Sequence, residues 1–373
     1  MNKKVVVLGA GKVGRAMAVD LADRYDVAAI DNNSANLEVL PLTVTAHQAD
    51  VTQPDVLRRF VDAADLIVGA MPGFLGFATL RRVLECGKNM VDISFFAEDA
   101  FELDELARQQ QVTAVVDCGV APGLFNILAG YHHARMHIES FVAMCGGLPM
   151  RRTLPFQYKA PFSPVDVLEI YTRPARIVVN GAVRTVPPLS QIEYVDLDPV
   201  GTLEAFATDG LRTMLRTMKI PNMCEKTLRY PGHAALMNTL RDVGLFSTSP
   251  VSINGCSIRP IDFMAALFFP QWQLGPDEEE FTLLHVLIEG YQQQQPIRVR
   301  YHLYDRYDST THTTSMARTT GYTATAVATA ILEGLYSHKG ISPPEYLGAQ
   351  EPVYYFIMDY LSQRHINLQL LTD

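Results

Sequence analysis

The chain has 373 residues, 48% of them hydrophobic, and a formal net charge of −9 at pH 7. That length exceeds one dinucleotide-binding unit and the apolar fraction supports a sizeable core, so two domains, or one large and one inserted, are expected. The acidic balance with no basic face excludes nucleic acid as a partner, and no apolar run approaches the ~20 residues of a membrane span.

In chain order, Lys4-Val5-Val6-Val7-Leu8 is a short, β-branched apolar run of the kind expected in a fully buried parallel strand. Gly9-Ala10-Gly11-Lys12-Val13-Gly14 follows directly and opens Lys12 to Tyr25, where Val13, Met17, Leu21 and Ala22 recur at helical spacing. Val27 to Ile30 reads as a second strand that stops at Asp31. Strand, glycine turn, helix, strand and acid are the parts of a dinucleotide-binding βαβ unit. Gly9 permits the tight turn, Gly11 lets the backbone approach a pyrophosphate, and Gly14 lets the helix pack close to the strand. The helix N-terminus, with Lys12 and Val13, offers its N–H groups and dipole to the phosphates. Asp31 stands where a carboxylate accepts hydrogen bonds from the ribose hydroxyls and repels a 2′-phosphate, which favours NAD over NADP.

Pro41 to Ala46 is a further strand, and Asp50-Val51 at its end is placed over the adenine. Thr52 is the expected N-cap of a helix from Gln53 to Ala63. Asp65 to Ala70 is a buried strand. Ligands bind at the carboxyl ends of such strands, so Ala70, Met71 and Pro72 are assigned to the nicotinamide half. Helices over Phe77 to Cys86 and Ala100 to Gln110 alternate with strands Asn89 to Ser94 and Val112 to Asp117. The strand-end rule extends the cofactor assignment to Asp92 and Ser94. About six strands alternating with helices make a complete Rossmann domain over residues 1–138. In Asp117-Cys118-Gly119-Val120-Ala121-Pro122-Gly123, two glycines and a proline fix a turn beside the nicotinamide, with Gly119 and Pro122 facing substrate. Pro122 suits the first turn of a helix running to Met136.

Beyond His137 strands come in succession: Phe141 to Met144, Ile177 to Val179, Ala182 to Val186, Leu203 to Thr208, Lys226 to Tyr230, Phe281 to Glu289 and Ile297 to Leu303. Asn180-Gly181 is a two-residue hairpin signal. Helical pieces fall at Pro164 to Ile170, Leu211 to Met218, Ala234 to Val243 and Ile261 to Phe268, and Pro276 to Glu280 reads as a solvated acidic loop. Residues 139–314 are therefore an α+β domain with a mixed open sheet. From Ser315 to Ala328 a helix of small residues is expected to return, within residues 315–373, to the nucleotide domain. The fold class is α/β: an N-terminal Rossmann domain, an inserted α+β domain and a C-terminal helical return. Cys86, Cys118, Cys145, Cys224 and Cys256 are scattered without C-x-x-C spacing. With no leader ahead of the first strand, that pattern suits a reducing cytoplasm and offers no metal site.

These stretches resemble the saccharopine dehydrogenase family, and within it the lysine 6-dehydrogenase branch most. The resemblance is carried by Gly9 to Gly14, Asp117 to Gly123, Gly146-Gly147-Leu148-Pro149, Leu228-Arg229-Tyr230-Pro231-Gly232-His233, Asn254-Gly255-Cys256 and Ser315-Met316-Ala317-Arg318. It spans nearly the whole chain. It implies NAD-linked oxidation at a C–N bond of a small-molecule amino acid, and a homo-oligomer, a dimer or larger. For lysine, the ε-carbon gives up a hydride, the imine hydrolyses and the semialdehyde cyclises to piperideine carboxylate. Other members act on saccharopine or carboxynorspermidine by reductive condensation of an amine with a carbonyl. A non-catalytic NAD-binding member is the alternative from a different class.

An amine of pKa about 10 must lose a proton before hydride leaves, so a base near the nicotinamide is required. Asp117 is the first candidate by its strand-end position and His233 the second, with Tyr230 orienting either. Arg229 is the candidate for a substrate carboxylate, and Tyr158 and Tyr171 are candidates for a pocket wall. Lys159, Arg173 and Arg176 make this stretch more basic than a pocket for a cationic lysine tail requires, which points toward a carboxylate-bearing secondary amine.

Overall fold

The structure is a computed structural model that describes residues 3–275 and 278–372. Strand β1 (Lys4–Leu8) leads through the glycine turn into α1 (Lys12–Ala22) and β2 (Asp26–Asp31), followed by α2 (Ser34–Glu38), β3 (Val44–Gln48), α3 (Pro54–Asp62) and β4 (Leu66–Gly69). Then come α4 (Gly73–Glu85), β5 (Asn89–Asp92), a single 3₁₀ turn at Ala100–Leu103, α5 (Asp104–Gln109) and β6 (Thr113–Val115). Parallel pairing places these strands in the order β6-β5-β4-β1-β2-β3. Helices cover both faces, which is why β4 reads Leu-Ile-Val-Gly with no polar position. The two faces of β1 serve different cores. Val5 and Val7 pack with Met17 and Leu21 of α1, whereas Val6 and Leu8 pack with Leu57, Val61 and Leu80.

Three local expectations are corrected here. Helix α3 starts at Pro54 with Gln53 as N-cap; Thr52 does not cap it, because its hydroxyl donates to Asp50 Oδ1 at 2.6 Å. Helix α4 begins at Gly73, four residues before Phe77. Pro122 lies outside the next helix, α6 (Leu124–His133), whose N-cap is Gly123.

The second sheet is built from β7 (His137–Pro149) onward. After it come α7 (Pro164–Thr172), β8 (Ala175–Val179), β9 (Ala182–Val186), β10 (Glu193–Leu197), β11 (Gly201–Thr208), α8 (Met214–Thr217) and β12 (Asn222–Arg229). The chain continues through α9 (His233–Asp242), β13 (Val251–Ile253), β14 (Cys256–Ile258), α10 (Pro260–Trp272), β15 (Glu280–Gln292) and β16 (Gln295–Arg306). The sheet runs β10-β11-β12-β7-β15-β16, with β8 and β9 branching from β12. It is mixed, since β12 is parallel to β7 while β15 is antiparallel to it. Asn180 and Gly181 both take positive φ, 50° and 77°, the backbone a type I′ turn demands between Val179 and Ala182. The expected helix over Leu211 to Met218 shrinks to α8. The acidic loop is also corrected at its end: Glu280 is buried at the start of β15 and accepts from the Ser315 N–H, while Pro276 and Asp277 lie outside the described residues.

The last segment serves both sheets. Helix α11 (Ser315–Leu332) is buried almost all round, and its threonines keep their hydroxyls within the helix: Thr319 donates to the Ser315 carbonyl and Thr323 to that of Thr319, at 2.9 and 2.8 Å. A Cβ on Gly321 would stand 3.2 Å from Met17 Cγ, so α11 rides directly on α1. Strand β17 (Gly340–Ser342) adds a seventh, parallel strand beside β6. After α12 (Pro344–Ala349) and α13 (Glu351–Ser362), β18 (Leu368–Thr372) adds to β16 of the other sheet. Asp20 of α1 receives Arg364 Nε at 2.5 Å and the Tyr360 hydroxyl at 2.8 Å, tying the tail to the nucleotide helix.

Candidate active site

A cavity of about 740 Å³ lies between the strand ends of the first sheet and one face of the second. At its first end stands the glycine turn. Gly9 has φ 94°, and a Cβ on Gly14 would fall 1.9 Å from the Gly9 carbonyl oxygen, so both glycines are demanded by the protein itself. Gly11 differs: its φ is −60°, any residue could adopt it, and a Cβ there would meet no atom within 4 Å. It opens α1 as an N-cap with no side-chain bond. Space left for a ligand, next to uncapped helix N–H groups, fits a dinucleotide pyrophosphate.

The remaining walls at this end follow the strand ends. Asp31, Asp50 and Val51 line the cavity, as do Ala70, Met71 and Pro72, Ser94, and Gly119 and Pro122; Lys12 and Val13 complete the turn. Asp31 is held by the N–H groups of Ala10 at 2.7 Å and Asn33 at 2.8 Å, and by Asn36 Nδ2 at 3.1 Å. Lone pairs remain for a ribose hydroxyl. Asp50, gripped by Thr52, is held below the usual carboxylate range by those hydrogen bonds. Asp92 does not reach the cavity. It is fully buried behind Ser94, which donates to its Oδ1 at 2.9 Å, and burial pushes its carboxyl up to about 8.

At the other end the wall is made by β12. Glu225, Thr227 and Arg229 alternate onto one face of this strand and all three line the cavity, joined by Thr208 of β11 and Cys145 of β7. Arg229 is 2% exposed. Its Nη1 donates to the Leu228 carbonyl at 2.9 Å and its Nε to Tyr171 Oη at 3.3 Å, while Nη2 has no partner among the described residues. The guanidinium sits 4.3 Å over the Tyr158 ring. A buried guanidinium with an open N–H position can take a carboxylate. Burial pushes the Cys145 thiol up to about 12, so it stays protonated.

Several residues expected in the site stand behind it. Asp117 is buried in an ion pair with Arg212, whose Nε lies 2.7 Å from Oδ1, and is not on the cavity wall. His233 is 2% exposed; its Nδ1 donates to the Phe156 carbonyl at 2.9 Å, so its Nε2 accepts from Tyr171 Oη at 2.8 Å. Burial first, then the nearby Arg229, lower its pKa to about 3. Both ring nitrogens are committed and the ring cannot serve as a base at the cavity. Tyr230 follows Arg229 on the strand and therefore points away, donating to the Pro149 carbonyl at 2.9 Å. Tyr158 and Tyr171 lie beneath Arg229 rather than on the wall. His233 and Tyr171 thus form a chain that positions Arg229.

The basic stretch is largely neutralised. Arg173 lines the cavity paired with Glu169 at 2.9 Å, Arg176 grips Asp209 at 2.8 Å, and Lys159 lies 3.5 Å from Glu278. Sequence reasoning passed over Glu225 and Thr208, for which the only available signal was the alternation of polar residues along β12. Among the described residues no helix is long and apolar enough to cross a membrane.

The cavity thus sets a dinucleotide-type glycine turn opposite one face of a second, mixed sheet. Two family models match the chain: the saccharopine dehydrogenase C-terminal domain over residues 119–366 and the saccharopine dehydrogenase NADP binding domain over residues 5–115. The chain belongs to the saccharopine dehydrogenase family. It is 26% identical over 274 residues to the mitochondrial alpha-aminoadipic semialdehyde synthase of Rattus norvegicus, covering 66% of this chain and 29% of that protein. To the saccharopine dehydrogenase (NADP(+), L-glutamate-forming) of Saccharomyces cerevisiae it is 23% identical over 293 residues, 72% of this chain and 63% of that one. It thus spans under a third of the first relative and less than two thirds of the second. The fold is that of apo saccharopine dehydrogenase (L-Glu forming) from Saccharomyces cerevisiae, with a TM-score of 0.81 at 19% identity over 100% of both chains. It is also that of the homospermidine synthase of Legionella pneumophila in complex with NAD, at 0.69 and 12% identity, covering 100% of this chain and 92% of that one.

Proposed function

We propose that this protein is an NAD-linked dehydrogenase acting on the carbon–nitrogen bond of an amino acid, with lysine oxidised at its ε-carbon as the first reading. The observation that carries it is the cavity itself: an uncapped glycine turn at one end and, at the other, a buried Arg229 with Nη2 open. Bound there, a nicotinamide dinucleotide supplies the hydride acceptor. Gly11 and the start of α1 hold its phosphates, Asp31 its ribose, and Ala70 to Pro72 with Gly119 to Pro122 shape the space for the ring. Arg229 takes the substrate carboxylate and fixes the distance of the reacting carbon from that ring. Desolvation strengthens this pairing, because the guanidinium has already left water.

NAD is favoured over NADP by Asp31, a carboxylate where a 2′-phosphate would have to sit, and by the absence of Lys and Arg from the Asp31 to Thr52 wall. The family model and the fungal relative carry NADP in their descriptions, which makes cofactor choice a direct test. A second reading, saccharopine as substrate, is favoured by the same relatives. The test is absorbance of the reduced dinucleotide with purified protein, NAD or NADP, and lysine or saccharopine at alkaline pH. Turnover of lysine with NAD is expected. Turnover of saccharopine alone moves the protein to the second reading, and no binding of either dinucleotide overturns both.

A further inference from the structure

Glu225 shares its face of β12 with Arg229, four residues or about 13 Å along the strand. Its Oε2 is occupied, accepting from the Thr208 hydroxyl at 2.5 Å and the Gly210 N–H at 3.1 Å, while no donor reaches Oε1 and no ion pair forms among the described residues. Thr227 donates to Thr208 at 2.9 Å and holds that hydroxyl in its donating direction. We propose that Glu225 Oε1 receives the ammonium of the substrate and takes the proton it must lose before oxidation. This rests on the dehydrogenase reading above and assigns the base that neither Asp117 nor His233 supplies.

The step balances. The ammonium R–NH₃⁺ and the Glu225 carboxylate become R–NH₂ and the Glu225 carboxylic acid. The neighbouring C–H then leaves as hydride with its electron pair to the oxidised dinucleotide, and the nitrogen lone pair forms the C=N bond of an iminium. The surroundings suit a base working near neutrality. Burial pushes the Glu225 carboxyl up to about 7 against the two hydrogen bonds. Every other ionisable group facing it is committed. Asp209 is gripped by Arg176, Cys145 stays a thiol, and across the cavity α7 presents the Arg173–Glu169 pair and Asp166, whose Oδ1 accepts from the Gly73 N–H at 3.4 Å. Arg229 is the cation that remains, and the proposal gives it the carboxylate. Acid and base set apart on one strand then select ligands with an amine at one end and a carboxylate at the other.

The experiment is calorimetric binding of L-lysine and L-norleucine to the full chain saturated with NADH. Norleucine has the same α-carbon groups and lacks only the ε-amine. Lysine is expected to bind about tenfold or more tightly at pH 8, the size of a charged hydrogen bond. Repeating the titration in buffers of different ionisation heat is expected to show release of about one proton per lysine at pH 6 and less at pH 8, as the ammonium forces Glu225 to ionise. Glu225→Gln should bring the two ligands to within about twofold and abolish proton release while NADH binding persists. Equal binding of lysine and norleucine to the wild type overturns the inference without any variant, as does undiminished proton release in Glu225→Gln. Failure of NADH to bind instead sinks the dehydrogenase reading itself.

Discussion

At the Rossmann end of the cavity, what a ligand meets first is main chain: a turn of glycines and the first N–H groups of α1, with the Asp31 carboxylate beside them. At the β12 end it meets side chains: Arg229, Glu225 and Thr227, each oriented by other side chains beneath. The first end is fixed largely by backbone geometry within one βαβ unit, where Gly9 and Gly14 are demanded by the protein's own packing. The second hangs on rotamers held by Tyr158, Tyr171 and Thr208, so it can change specificity by substitution. Under the dehydrogenase proposal, cofactor recognition rests on the backbone and substrate recognition on assembled side chains.

The sharpest way to break this comparison is Arg229→Met. We expect kcat/KM for an amino acid substrate to fall by about a thousandfold or more, with NADH affinity unchanged and Tm held or raised because a buried charge has gone. Loss of NADH binding in steady-state fluorescence would show the ends to be one unit. Asp117→Asn, at a position that supports the site from behind, should cost about 3 kcal/mol of stability by stranding Arg212 in the interior. Denaturant unfolding measures that, and the folded variant should still bind NADH. Within the glycine turn, Gly11→Ala should weaken NADH binding by about tenfold with Tm unmoved, since its methyl group meets only the ligand. Gly14→Ala should lower Tm as well, since its methyl group meets the Gly9 carbonyl. Equal thermal effects of the two would contradict the assignment of Gly11 to the ligand.

A further effect is a dependence on pH. Asp92 titrates at about 8 because burial disfavours its charge. Its neutral form is the one the fold accepts, so the stability it brings is complete below the ordinary carboxylate range and is lost as pH rises through 8. Asp92→Asn remains neutral. Thermal melts should show the variant gaining on the wild type from pH 5 to pH 8 and the gap levelling above it. A gap independent of pH would place the charge of Asp92 elsewhere.

How much of this was legible in the sequence follows from the same contrast. Gly9 to Gly14 and Asp31 announce themselves because a local turn and its acid sit within thirty residues and each residue type has one geometric use. The wall of β12 gathers residues 145, 208, 225 and 229 from three strands, and only pairing decides that they face one space. Arg229 was found because its charge had few other uses. Glu225 was missed because alternation along a strand names a face without saying what lies opposite. Asp117 and His233 misled for one reason: a titratable group at a strand or helix end suggests chemistry, yet Arg212 and Tyr171 had claimed them from distant positions. The seventh strand was missed because Gly340–Ser342 is too short to carry a periodic signal.

That strand sets the order in which the molecule can be finished. The outer hydrogen-bonding edge of β6, residues 113–115, finds its partner in residues 340–342. During synthesis, the sheet begun first therefore keeps an open edge while more than two hundred further residues emerge, all of the second sheet but β18 among them. Chains truncated before residue 340 would carry an unpaired β6 edge, and those truncated before residue 315 also an α1 without its α11 cover. Such fragments should aggregate rather than bind dinucleotide, so the nucleotide half of this protein is not a separable module: its sheet closes only when residues 340–342 arrive.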